Sequence, residues 1–445
     1  MIATKQTYLI LIVIAAVLAV SQWLPLMRTI GLGLDLAFLI LVVVDFQTTP
    51  RPRLLSATRD VQDRLSVGRS NDVTIKVFNN STSKMLCRVK DDYPPGLNAD
   101  VAEFDFELPA NGISTLQYTV LPRRRGSYQF DNINIRYRSS LGFLWRQVKV
   151  KAERPVKVYS DLKALYDLSI KLSHSSELGE LHQRKRGQGT DFASLKEYTV
   201  GDDSKSIDWK ATARRDRPVI RTYEAEQEQR LCILIDGGRM MCSDLEGLTR
   251  FDHALNAALC LALTGLSHND QVGVGIFADK PLMYLPPRRG KSYLKNILEA
   301  SFDVEPKIVE PDYVGVLSYF ASAQKGRSLI VVLTDLTDPT GSQALLAGLA
   351  SLSTRHLPFC VTLKDRQINK VAGTTTISDG VSTDLKLVKM EEIYQRAVAA
   401  DLLAQRELAL SVLQRRGCLV LDAPPQELSD KLVEAYLEVK TRARL

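Results

Sequence analysis

At 445 residues the chain is longer than one compact core holds, so two or three domains are expected. With 45% hydrophobic and 24% charged residues, it has the composition of a folded protein and not of a disordered one. The 58 Lys and Arg side chains are set against 51 Asp and Glu for a net charge of +7, which describes a salt-laced surface and not the clustered basic face of a nucleic-acid binder.

Residues 8–26 (YLILIVIAAVLAVSQWLPL) are almost unbroken hydrocarbon, and 29–46 (TIGLGLDLAFLILVVVDF) follow at once. Each approaches the ~20 residues a helix needs to cross a bilayer core, so 1–50 are expected to form a two-helix transmembrane hairpin. No small-residue cleavage motif follows the first run, which argues against a signal peptide. Lys5 precedes the hairpin and Arg51, Arg53, Arg59 and Arg64 follow it, against Arg28 in the turn. The positive-inside rule then places both ends in the cytoplasm, giving a multi-pass protein of the inner membrane with cytoplasmic soluble domains. Asp35 is costly inside hydrocarbon; it marks a helix contact or lies near the headgroups.

From 51 to 155 the text reads as short strands. Segments 72–78 (DVTIKVF), 104–108 (FDFEL), 116–120 (LQYTV) and 133–137 (INIRY) alternate polar and apolar between turn clusters such as Asn79-Asn80-Ser81 and Pro94-Pro95-Gly96. This predicts an antiparallel β-sandwich of immunoglobulin-like type. A connecting stretch at 156–228 is expected to hold a helix over 161–181 and a polar loop at 184–191. The region 229–445 then alternates buried strands with helices. Strands are expected at 231–236 (LCILID), 271–277, 328–335 (SLIVVLTD), 358–363 and 418–421, and helices at 250–267, 292–302, 343–353 and 390–415. Continuous apolar strands separated by helices predict a mostly parallel, Rossmann-like sheet with both faces covered. Ligands of such sheets lie beyond the carboxyl ends of the strands, where Asp236 and Asp335 fall.

The six cysteines contain no CxxC pair, and Cys232, Cys260, Cys360 and Cys418 sit in apolar runs, the usage of a reducing compartment. No GxxxxGK followed by Ser or Thr, no GxSxG and no HExxH occurs, and the five histidines lack metal-ligand spacing. No catalytic residue is nominated.

The stretch 189–224 (GTDFASLKEYTVGDDSKSIDWKATARRDRPVIRTYE) is more specific. Through Phe192, Glu197, Tyr198, Gly201, Asp202, Asp203, Ile207, Asp208, Trp209, Ala213, Arg214, Arg221 and Glu224, and on through 248–259 (LTRFDHALNAAL), it resembles a widespread bacterial family of unknown function, the one numbered fifty-eight. The resemblance implies a von Willebrand factor A-like domain over 229–445 and a partner, a MoxR-type AAA+ ATPase, that remodels a client protein or inserts a metal or cofactor into it. It also implies a cation position at the strand ends, where Asp-x-Ser-x-Ser, a Thr and a second Asp would hold a divalent ion. Here that loop is Asp236-Gly237-Gly238-Arg239-Met240, without either serine; Asp335 matches the second carboxylate and Asp312 lies in the region of the Thr. Mg²⁺ at this degenerate site, serving a metal-dependent enzyme, and helix capping by Asp236 and Asp335 beside Arg239 both remain open. For the signature residues Glu197, Tyr198, Gly201, Asp202, Asp203, Asp208, Trp209 and Arg214, two readings also stand. They form a partner-docking surface, or Trp209 anchors a core and Arg214 pairs with a nearby carboxylate.

Overall fold

The computed structural model describes residues 2–20, 25–101, 103–179, 186–199, 207–215, 217–224, 229–324, 326–336, 339–372 and 390–441. The chain divides into two compact units, Met1–Asp161 and Leu162–Leu445.

The first unit opens with helices Lys5–Val20 and Pro25–Thr48. Of the two spans expected, the described residues support one: the segment Leu26–Leu54 is long and apolar enough to cross a membrane. The described part of the first helix, Lys5–Val20, has 16 residues, about 24 Å at the α-helical rise against the ~30 Å of a hydrocarbon core. The two helices pack closely where Gly31 meets Leu18; a Cβ there would come within 2.5 Å of the leucine side chain. Asp35 lies on an exposed face.

The β-structure of this unit is mostly antiparallel, with one parallel pair between Arg64–Ser66 and Arg154–Tyr159, and its main strands alternate in burial, as a sheet with one buried face requires. One sheet runs in the order Leu55–Val61, Asn71–Asn79, Ile113–Pro122, Leu97–Ala99; another runs Ile2–Ala3, Leu144–Val150, Ile133–Arg138, Met85–Asp91, Phe104–Leu108. Their buried rows include Val73, Ile75 and Val77 of the first and Cys87, Val89, Ile133, Ile135 and Tyr137 of the second. A polar pin joins the two. Arg59 gives an Nε–H to Asp91 at 2.9 Å and an Nη–H to the Ala152 carbonyl at 2.6 Å, while the Tyr118 hydroxyl donates to the same carboxylate at 2.5 Å.

The expected boundary at 155 is corrected. Strand Arg154–Tyr159 pairs with Gly126–Phe130 and with Arg64–Ser66, and its buried Val156 and Val158 belong to the β-unit. Nor are the residues that follow a plain linker. Helix Leu162–Gly179 sets Leu165 in the core of the second unit, and strand Arg186–Glu197 pairs with Val219–Glu224 where a polar loop was expected from 184. The positions before Arg186 lie outside the described residues.

The second unit is a six-stranded sheet of Arg230–Asp236 (β1), Gln271–Phe277 (β2), Pro281–Arg288 (β3), Leu329–Thr334 (β4), Leu357–Leu363 (β5) and Leu419–Ala423 (β6). The order is β3-β2-β1-β4-β5-β6, parallel throughout except for β3 at one edge. Helices Arg250–Ser267 (α1) and Pro425–Thr441 cover one face, meeting Leu231, Ile233 and Ile235 of β1. Helices Tyr313–Ser322 (α2), Pro339–Leu352 and Met390–Arg415 (α3) cover the other, meeting Cys232 and Leu234. The period-two split of one strand between two cores explains why its sequence is apolar without a break. Cys232 and Cys418 behave as core hydrophobes; burial pushes both thiols up to about 12.

The pin in the β-unit is testable. Asp91→Ala leaves the Arg59 guanidinium buried without its carboxylate and should cost about 3–5 kcal/mol. Denaturant unfolding of the full chain, followed by near-ultraviolet circular dichroism, reads the loss; a change below about 1 kcal/mol contradicts the assignment.

Candidate functional site at the strand ends

After β1 the chain crosses to β2, whereas β4, the neighbour of β1 on its other side, leads on to β5. The crevice beyond the carboxyl ends of β1 and β4 is therefore the topological switch point, where ligands of open parallel sheets bind. Asp236 is the last residue of β1, and Asp335 follows the last residue of β4. The structure thus brings the two carboxylates to neighbouring strand ends.

Each is enclosed by donors from its own chain. Asp236 is 1% exposed. Its Oδ1 accepts the Gly238 N–H at 2.8 Å, and its Oδ2 accepts hydroxyls from Tyr313 at 2.7 Å and Thr334 at 2.6 Å. Burial pushes its carboxyl above the usual range, opposed by the hydrogen bonds from Thr334, Tyr313 and Gly238. Asp335 forms ion pairs with Arg250, the first residue of α1, and with Arg406 of α3 at 2.8 Å, and it accepts the Leu336 N–H at 2.9 Å. Arg406 also donates to the Leu363 carbonyl and to Asp422, each at 2.7 Å, and Arg250 lies 3.2 Å from Asp365. Burial lowers the Arg250 guanidinium, and Asp365 opposes that shift. Two cations and three anions thus lace together the ends of β4, β5 and β6. A cleft of about 70 Å³ opens beside them, lined by Arg250, Lys364, Asp365, Asn369, Arg406 and Glu407.

The loop after β1 is held by its backbone. The Gly237 N–H donates to the Phe277 carbonyl at 2.6 Å, the Arg239 N–H donates to Val309 at 2.9 Å, and the Gly237 carbonyl accepts from Lys307 at 2.7 Å. A Cβ on Gly238 would lie 2.9 Å from the Pro311 ring and 3.0 Å from Asp236 Oδ1. A serine at this position would therefore collide with its surroundings. The Arg239 side chain reaches Glu310 at 2.7 Å, and the cations set against a strand-end carboxylate are Arg250 and Arg406 instead. Asp312 is the N-cap of α2, accepting the Gly315 N–H at 2.9 Å.

This donor set does not fit Mg²⁺. A hard cation wants several free oxygens, whereas Asp236 is filled by three donors, Asp335 is neutralised by two guanidiniums, and Gly238 and Met240 supply no side-chain oxygen. Among the described residues no three His, Cys, Asp or Glu side chains are grouped to hold an ion.

The signature residues form a separate constellation. Asp208 accepts the N–H groups of Lys210 and Ala211 at 3.0 and 3.1 Å, capping the short helix Trp209–Arg215. Trp209, expected as a core anchor under one reading, is 72% exposed; the buried side chains of this segment are Val219 and Ile220 on the adjoining strand. Arg214 is exposed, Glu197 pairs with Arg217 at 2.9 Å, and the Tyr198 N–H donates to the Pro218 carbonyl. Gly201, Asp202 and Asp203 lie outside the described residues.

Sequence reasoning missed Tyr313, Thr334, Arg250, Arg406 and Asp422. Thr334 carried a signal as the neighbour of Asp335 at the end of an apolar strand, and Arg250 as the cation opening a strongly apolar helix. Arg406 carried none within the charged helix α3.

Two outcomes follow from these contacts. Asp335→Ala strands Arg250 and Arg406 in the interior and should lose about 3–5 kcal/mol in denaturant unfolding, more than an alanine at exposed Glu310. Asp236 binds its proton more tightly when folded than when unfolded. Its contribution is thus present below the ordinary carboxylate value of 3.8 and is lost as pH rises through the folded value. The stability of the native chain minus that of Asp236→Asn should fall as pH rises from about 3 to about 8. A difference that grows with pH contradicts the enclosure described.

Comparison with known proteins gives three kinds of likeness. Among solved structures, an aerotolerance-related membrane protein from Bacteroides fragilis is 17% identical and covers 48% of this chain and 99% of that one, with a TM-score of 0.30. BatB from Bacteroides thetaiotaomicron is 13% identical, covering 48% and 100%, with a TM-score of 0.29. Among curated proteins, the uncharacterized proteins Rv1480 of Mycobacterium tuberculosis and Mb1516 of Mycobacterium bovis are 22% identical over 181 residues. That match takes in 40% of this chain and spans 56% of the length of each relative. The family profile described as "Protein of unknown function DUF58" matches residues 194–408, from the signature strand through the strand-end crevice to Arg406.

Proposed function

We propose that the chain is a membrane-anchored, non-catalytic adaptor. In this reading a two-helix N-terminal hairpin holds a von Willebrand A-like domain at the cytoplasmic face of the inner membrane. There it docks a MoxR-type AAA+ ATPase and presents a client protein for assembly, remodelling or insertion of a metal or cofactor. Lipid is the partner of the N-terminal helices, and no nucleic acid is involved.

The observation that carries the reading is the state of the switch-point crevice. Its carboxylates are the groups a metal-dependent enzyme would use, and both are committed to Tyr313, Thr334, Arg250 and Arg406. An enzyme working through Asp236 and Asp335 would first have to strip two guanidiniums from a buried site. The strand order, with one antiparallel edge strand, supports the von Willebrand A-like assignment. Exposed Trp209, with Arg214 on the same short helix, supports docking, because Trp and Arg dominate the energetic centres of protein interfaces.

The test is binding of the full chain, in lipid nanodiscs, to the MoxR-type ATPase of the same organism. Trp209→Ala should weaken that binding by roughly tenfold or more and leave the unfolding midpoint unchanged. An unmutated chain that ignores the ATPase, yet takes up Mg²⁺ through Asp236 in calorimetry, sinks the adaptor reading.

A further inference from the structure

The helix Pro25–Thr48 does not end freely above the β-sheets. The turn at 139–143, between strands Ile133–Arg138 and Leu144–Val150, lies along its last three turns. The Asp45 carboxylate accepts the Ser139 hydroxyl and the N–H groups of Leu141 at 2.7 Å and Phe143 at 3.3 Å. The Phe143 ring meets Phe38 edge-on, with centroids 5.6 Å apart. Phe38 precedes Asp45 by seven residues, about 10 Å along the helix axis.

That reach decides where the turn lies. From Pro25 to Phe38 the helix covers only about 20 Å, too little for the ~30 Å of hydrocarbon. If the helix spans the membrane, its residues 38–45 lie within the bilayer or at its edge, and the turn packed on them lies at the same depth. Non-helical backbone survives there only when its polar groups are satisfied by protein. The turn meets that condition at every N–H from Ser139 to Leu144. Besides the two taken by Asp45, Ser139 donates to the Leu144 carbonyl at 2.8 Å and Ser140 to Thr49 Oγ1 at 3.2 Å. Gly142 donates to the Ser139 carbonyl at 3.1 Å and Leu144 to Ser139 Oγ at 2.9 Å. Thr4 Oγ1 donates to the Gly142 carbonyl at 2.8 Å, and the Thr4 N–H and Thr7 hydroxyl donate to that of Phe143. Two residues of the turn face outward: Ser140, whose hydroxyl donates to the Thr48 carbonyl at 3.3 Å, and Leu141, 50% exposed at the tip. Arg146 marks the polar side of the boundary, donating to the carbonyls of Phe46, Thr49 and Pro50 at the helix end with its guanidinium 4.2 Å from the centre of the Phe46 ring.

We infer that the turn at 139–143 is a lipid-binding element of the β-unit, inserted in the interfacial layer of the membrane with Leu141 among the acyl chains. The inference rests on the reading of Leu26–Leu54 as a membrane span. It makes the β-unit a rigid continuation of the anchor, seated on the bilayer, and not a domain on a tether.

Nitroxide accessibility in the full chain tests it, in vesicles of phosphatidylethanolamine and phosphatidylglycerol. Single labels are placed at Leu141→Cys, at Leu36→Cys on the exposed face of the span, and at Ser127→Cys on an exposed strand of the β-unit. Cys242→Ser removes the one native thiol that is not buried. The label at 141 should collide with dissolved oxygen more than with a water-soluble nickel chelate, as at 36 and opposite to 127. If 141 behaves like 127 while 36 stays lipid-exposed, the span stands and the insertion is wrong. If 36 itself is open to the nickel chelate, the span is wrong and the insertion falls with it.

Discussion

The second unit depends on a charge that cannot be left alone. Asp335 lies at the end of a strand whose residues are all buried, and a carboxylate there is tolerable only with opposite charge in contact. Arg250 and Arg406 supply it from opposite faces of the sheet, since α1 packs in one core and α3 in the other. The same guanidiniums reach Asp365, Asp422 and the Leu363 carbonyl, so β4, β5 and β6 are tied at their carboxyl ends by one network. Loss of any member exposes the others to the full cost of desolvation. This is why the switch point, open to ligands in many folds of this class, is closed by the chain itself.

The same constraint governs the first unit on two scales. Arg59 and Asp91 meet between apolar sheets and are stabilised by Tyr118 and by the carbonyls of Ala152 and Asp131. Asp45 lies at the edge of an apolar helix and is stabilised by a hydroxyl and two backbone N–H groups of a turn from the β-unit. In each case the polar group does more than avoid a penalty. Because its partners come from distant parts of the chain, it fixes the register in which those parts meet, a specificity that apolar packing alone does not provide.

Much of this was legible in the sequence where one period dominates. The strands of the parallel sheet stand out because both their faces are buried, and the β-unit because only one is. Asp236 and Asp335 were found as strand ends for the same reason. Their partners were not legible, for physical reasons. Tyr313 reaches Asp236 from 77 positions away, and Arg406 reaches Asp335 from 71, distances over which no local pattern carries information. Of the two readings of Trp209, the core anchor fails, although its size favours burial in general. Here the cap at Asp208 starts a helix too short to have a buried face, and Val219 and Ile220 take the interior positions. The strand from Arg186 was hidden by its glycines and charges, which predict a loop until a pairing partner is known.

Closing the crevice also changes what the domain can do. A site that binds a small ligand needs groups whose hydrogen-bonding capacity is unmet until the ligand arrives. Here Asp236 and Asp335 have met theirs within the fold, and Gly238 is packed so that no serine fits beside Pro311. The contacts these carboxylates would offer a metal are taken by hydroxyls, a backbone N–H and guanidiniums of the chain itself. Strand ends held in this way are pre-organised, so a partner of the kind proposed above would lose little in ordering them. In the adaptor reading proposed above, that pre-organisation serves recognition by shape and exposed side chains.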